Sequence, residues 1–128
     1  MKMALPTRKD AAYIKRKLRL FYKTNTTNPN YPVEIKEFNR AILRLISFYQ
    51  LPIPKIVWCE RIGFMGETNR TLGQCTADGK INLLTPNKHQ YGGFEGWLNT
   101  VYHEVGHYVL WADCERKARE FAKRMCDR

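Results

Sequence analysis

The apolar residues of this chain change period twice, and that change constrains the fold more than any other feature. Ala11, Ile14, Leu18 and Phe21, with Tyr22, recur at helical spacing, so Thr7–Lys23 is expected as an amphipathic helix with basic residues on its other side. TNTTNPNYP at 24–32 is turn chemistry. Ile35, Phe38, Ile42, Leu45, Ile46 and Tyr49 then form a second stripe, predicting a helix over about 33–49 that LPIP at 51–54 ends. KIVWCERI at 55–62 is β-branched and aromatic and reads as a strand. GFMGETNR at 63–70 reads as a loop, TLGQCTA and KINLL flank Asp78-Gly79 as a hairpin, and TPNKHQYGG at 85–93 is another loop. From Phe94 to about Trp111 the period is helical again, and Asp113 is placed to cap a last helix running to about Arg124. The expected class is α+β: two N-terminal helices, a small mixed sheet of about three strands, then two more helices. One domain spans 1–128, with a basic helix and linker over 1–30 and the core over 55–125.

With 44% hydrophobic residues, the chain can pack a core without metal or disulfide staples. No apolar run reaches the roughly 18 residues of a membrane span. The first residues, MKMALPTRKDAAY, carry charge but no signal-peptide apolar stretch, so a cytoplasmic location is expected. Cys59, Cys75, Cys114 and Cys126 are never two to four residues apart, which argues against a zinc knuckle or a CxxC redox pair. Cys59 and Cys75 could meet if their strands pair, but reduced thiols are the default. The net charge is +10, and residues 1–23 hold eight basic side chains against Asp10 alone. Nucleic acid is therefore a possible partner of the N-terminal helix, although no nucleic-acid motif accompanies the charge.

Two of the three histidines stand in HEVGH, residues 103–107. Residues i and i+4 share one helix face, so His103 and His107 can accept one zinc ion. Glu104 is then the general base, beside a metal-bound water but not on the metal. A catalytic zinc usually has a third protein ligand. His89 lies before the motif; Asp113, Cys114, Glu115 and Glu120 lie after it. Glu115 is favoured, because the first turn of the last helix can point it back across the helix–helix turn, with Ala118 leaving room for close approach.

HEVGHYVL followed by ERKAREFA resembles the zincin metallopeptidases of the gluzincin type, in particular the ImmA/IrrE-like peptidases, with the HtpX-like membrane peptidases and the minigluzincins related. The resemblance implies a minimal zincin-like domain with one Zn2+ per chain, in which His103, His107 and Glu115 bind the metal and Glu104 acts as base. Arg119 stands where those families have Asn or Asp. The implied activity is hydrolysis of a peptide or protein substrate. Zincins receive substrate along an edge strand, and the candidate here is Lys80, Ile81, Asn82, Leu83 and Leu84. Tyr91, Tyr108, His89 and Arg119 are candidates for stabilising the oxyanion. Minigluzincins resemble zymogens, so the N-terminal segment could occupy the cleft; its apolar stripe favours instead that residues 7–23 cover the sheet or the second helix.

Overall fold

The computed structural model describes residues 3–27, 34–60, 72–89, 92–110 and 115–128. Helix α1 (Arg8–Thr27) starts at Thr7, whose Oγ1 accepts the Asp10 backbone N–H at 3.2 Å as an N-cap. It buries Ala11, Ile14, Leu18 and Phe21, as its apolar period requires. The helix outlasts expectation by one turn, so residues 24–27 are not part of a loop. Side chains that compete with helix elsewhere here bond back along it: Asn25 Nδ2 donates to Phe21 O at 2.8 Å, Thr26 Oγ1 to Tyr22 O at 2.8 Å and Thr27 Oγ1 to Lys23 O at 2.7 Å. Asn25 also holds the start of the next segment, accepting the Glu34 N–H at 2.8 Å. Residues 28–32 of the expected turn lie outside the described residues.

Helix α2 (Lys36–Phe48) packs antiparallel to α1 through Phe38, Ala41, Ile42, Leu45 and Ile46. Lys17–Glu37 at 3.1 Å and Arg44–Asp10 at 3.0 Å tie the pair together. The apolar stripe of α1 is thus buried on α2 and the core, which is the covering role and not occupation of a cleft.

Strands β1 (Lys55–Cys59), β2 (Gly73–Cys75) and β3 (Lys80–Leu84) form a mixed sheet in the order β1-β3-β2. β1 runs parallel to β3 from Lys55↔Lys80 to Cys59↔Leu84, and β2 pairs antiparallel with β3 from Gly73↔Leu83 to Cys75↔Ile81. The hairpin forms where expected, with Thr76 N–H donating to Lys80 O at 2.8 Å across a loop of Ala77, Asp78 and Gly79. Cys59 and Cys75 lie on the two outer strands with β3 between them, so they do not meet; both are free thiols, as is Cys126. Cys114 and Asp113 lie outside the described residues, as do residues 61–70.

After a single 3-10 turn (Pro86–Lys88), helix α3 (Gly93–Leu110) runs through the middle of the molecule and packs along α4 (Glu115–Asp127). The two halves of the chain join at an aromatic cluster. Phe21 lies 5.2 Å from Phe38, 4.9 Å from Trp58 and 5.5 Å from Trp97, centroid to centroid, so α1, α2, β1 and α3 share one core. None of the described helices is long and apolar enough to cross a membrane.

Candidate metal centre

The second half of helix α3 is buried almost all round. From Val101 to Leu110 only His103, His107 and Leu110 are not buried, and they are spaced as one stripe along the helix. The histidines therefore occupy the one line of this half of α3 that reaches the surface, with side chains 19% and 13% exposed. Their rings stand 5.0 Å apart and 72° from coplanar.

Helix α4 supplies the third group because it comes unusually close. At Gly106, between the histidines, an added Cβ would lie 2.9 Å from Phe121 Cδ1. Ala118 and Ala122 are fully buried on the facing side of α4. Small residues on both sides bring the start of α4 over the histidine stripe, and Glu115 is its first residue. His103 Nε2 meets Glu115 Oε2 at 2.9 Å and His107 Nε2 meets Glu115 Oε1 at 2.9 Å. Ligand atoms from the three residues all lie within 4.8 Å of one another. Burial opposes the Glu115 charge, but the two histidines outweigh it and hold the carboxyl below its usual value. Burial keeps His103 below the ordinary histidine value, although Glu115 pulls the other way.

Glu104 is 5% exposed and lies beside the stripe, near enough to feel the charges of His107 and Glu115. Burial above all raises its carboxyl to about 7; the Glu115 charge adds to the rise and His107 opposes it. It lies beneath β2. A Cβ on Gly73 would lie 2.8 Å from Glu104 Cγ and 3.2 Å from Thr100 Cγ2, so only glycine lets this strand pass directly over the carboxylate. The sequence reading missed this contact, although a glycine inside a strand often marks a close backbone approach.

The donor set fits a zinc ion. Two imidazole nitrogens and a carboxylate are common zinc ligands, and tetrahedral bonds of about 2.0–2.1 Å need donor atoms about 3.4 Å apart. A few tenths of an ångström of opening at the two 2.9 Å contacts would supply that.

Of the other expected residues, Arg119 stands near the triad, where its charge helps lower His103. His89 is 3% exposed, and its Nε2 lies 2.9 Å from Thr100 Oγ1, remote from the triad in role. Thr100 Oγ1 donates to Gly96 O, so His89 Nε2 is the donor in that pair. The Tyr108 hydroxyl donates to Pro52 O. Arg119 Nε reaches its own helix at Glu115 O, 3.4 Å away, and Glu120 pairs with Arg124 at 2.8 Å. Tyr91 lies outside the described residues. The substrate strand requires a correction. Lys80, Ile81, Asn82, Leu83 and Leu84 form the central strand, hydrogen-bonded on both sides, so they have no free edge for an added strand. Among the described residues, the edge beside Glu104 belongs to β2.

Comparison of the chain with known protein families, with curated proteins and with solved structures finds no match.

Proposed function

We propose that this chain is a zinc-dependent peptidase, with His103, His107 and Glu115 as ligands and Glu104 as general base. The observation that carries the reading is the convergence of two Nε2 atoms from one helix on both oxygens of a carboxylate from another, each at 2.9 Å. Two histidines and one carboxylate also suit a non-haem iron centre. The carboxyl of Glu104 favours hydrolysis: it adjoins a ligand, is buried and is raised to about 7, where a group can both take and return a proton at neutral pH. Zinc, when bound, would polarise a water and the scissile carbonyl.

The residues divide the remaining work. Glu115 and the histidines fix the donor geometry from two packed helices. Glu104 takes the proton of the attacking water on its carboxylate and delivers it to the leaving amine. β2 passes over that carboxylate with Gly73, and its edge can align an extended peptide by main-chain hydrogen bonds.

The test is metal analysis of purified protein followed by peptide hydrolysis. One zinc per chain, absent from His103→Ala, is expected. Glu104→Gln should keep the zinc and lose turnover by about 100-fold or more. Iron in place of zinc, or unchanged cleavage by Glu104→Gln, would defeat the assignment.

A further inference from the structure

The metal centre leaves most of the +10 charge unused. On α1 the buried residues Ala11, Ile14, Leu18, Phe21 and Asn25 define one side. Arg8, Lys9, Arg16, Arg19 and Lys23 all lie exposed on the other. Lys9, Arg16 and Lys23 are seven residues apart, two helical turns, and so line up at intervals of about 10 Å. Acidic groups neutralise little of this row. Lys17 faces α2 and pairs with Glu37, while among the described residues Arg19 has only Glu95, at 3.9 Å. Arg8, Lys9, Arg16 and Lys23 form no ion pair among the described residues.

The row continues onto α4. Arg8 lines a cavity of about 340 Å³ together with Arg124 and Arg128, with Asp127 as its one acid. Lys117 is two turns before Arg124 on the same face of α4 and is exposed. Cations thus run the length of α1 and turn at its first residue onto the end of α4.

We infer that this α1–α4 face binds the phosphate backbone of nucleic acid without reading its sequence. Three features select that partner. A lipid surface would need large apolar side chains to insert, but Ala11, Ile14, Leu18 and Phe21 are at most 3% exposed, and the polar face carries only Leu20 and the small Ala12 among the described residues. A protein partner would need a cluster of apolar anchors at the centre of its footprint, and the row offers Leu20 alone among large apolar side chains. A linear array of cations, of which Arg8, Lys9, Arg16 and Lys23 have no ion pair among the described residues, matches a linear array of phosphates, each contact releasing counterions. Base-specific recognition has no support, because the rings close to the row among the described residues, Tyr13 and Phe94, are covered by its own cations: Tyr13 lies under Arg16 and Arg44, and Phe94 under Arg19.

The inference does not depend on the metal. Fluorescence anisotropy of the full chain with a labelled duplex of about 30 base pairs, and with one of its single strands, tests it directly. Binding is expected at about 50 mM salt, with log K falling by about 3–4 per tenfold rise in salt, as four phosphate contacts require. Arg16→Glu and Lys23→Glu should each weaken it about tenfold. Lys55→Glu, an equal charge change at the start of β1, should alter it less than about twofold. His103→Ala should leave it unchanged even if the metal is lost, which separates this inference from the peptidase reading. No binding at low salt would overturn it, as would equal weakening by Lys55→Glu. So would binding to vesicles of phosphatidylserine and phosphatidylcholine, sensitive to Arg16→Glu, in the absence of oligonucleotide binding.

Discussion

Gly106 and Phe121 are in contact across α3 and α4, with no room for a methyl group between them: a Cβ on Gly106 would lie 2.9 Å from Phe121 Cδ1 and 3.2 Å from its Cβ. This contact sets how far Glu115, six residues before Phe121 on α4, stands from the histidines on either side of Gly106. The site's geometry is therefore decided on the buried side of the two helices, opposite the ligands themselves.

Gly106→Ala should act on both stability and metal. Alanine would favour the helix by about 1 kcal/mol. The clash falls on the ring and Cβ of a buried Phe121, so a net loss of about 1–3 kcal/mol is expected in denaturant titration. Zinc affinity should fall with it, and Phe121→Leu in the same chain should restore part of both losses.

Gly73→Ala should separate binding from turnover. The added methyl meets Glu104 Cγ and the Thr100 methyl, not a ligand. Zinc content should hold at one per chain while kcat falls by about tenfold or more, read by peptide hydrolysis beside metal analysis. Equal loss of metal would place the effect in the fold.

Glu115→Gln tests the third ligand. The two imidazoles keep one acceptor oxygen, but the negative charge that balances the metal is gone. Competition with a chelator should show zinc held at least about 100-fold more weakly, with thermal unfolding of the metal-free protein changed little, because the side chain is 62% exposed.

Glu104 gives the metal-free protein a pH dependence of definite sign. Its folded pKa is about 7 and its unfolded value 4.5, so the folded state holds the extra proton between them. The penalty of ionising the buried carboxyl is absent below about pH 4.5, grows as pH rises, and is complete above about 7. Its full size is about 3 kcal/mol. Relative to Glu104→Gln, the chelator-treated wild type should lose stability from pH 5 to 8; urea titrations at fixed pH measure the difference.

Much of this was legible beforehand because periodicity reports burial. The i, i+4 pair in HEVGH fell on a helix whose period was plain, and Glu115 followed from the position of the last helix. What escaped lies in relations that local pattern does not encode. TNTT reads as turn, yet Asn25, Thr26 and Thr27 bond back to the preceding turn and prolong α1. Alternation identifies strands but not their neighbours, so β3 passed for an edge. Its burial of Ile81, Leu83 and Leu84 is closer to the near-continuous apolar run of an inner strand. The meeting of Gly73 with Glu104 joins residues 31 apart and leaves only an unexplained strand glycine in the sequence.

The burial of the second half of α3 on every side but one also governs when the site can come apart. Val101, Tyr102 and Val105 are at most 1% exposed and join the core shared with α1 and α2, so their amides should be among the slowest to exchange with deuterium. The histidines are carried by a segment expected to be among the last to open, so two of the groups that would do chemistry should persist for as long as the native state does.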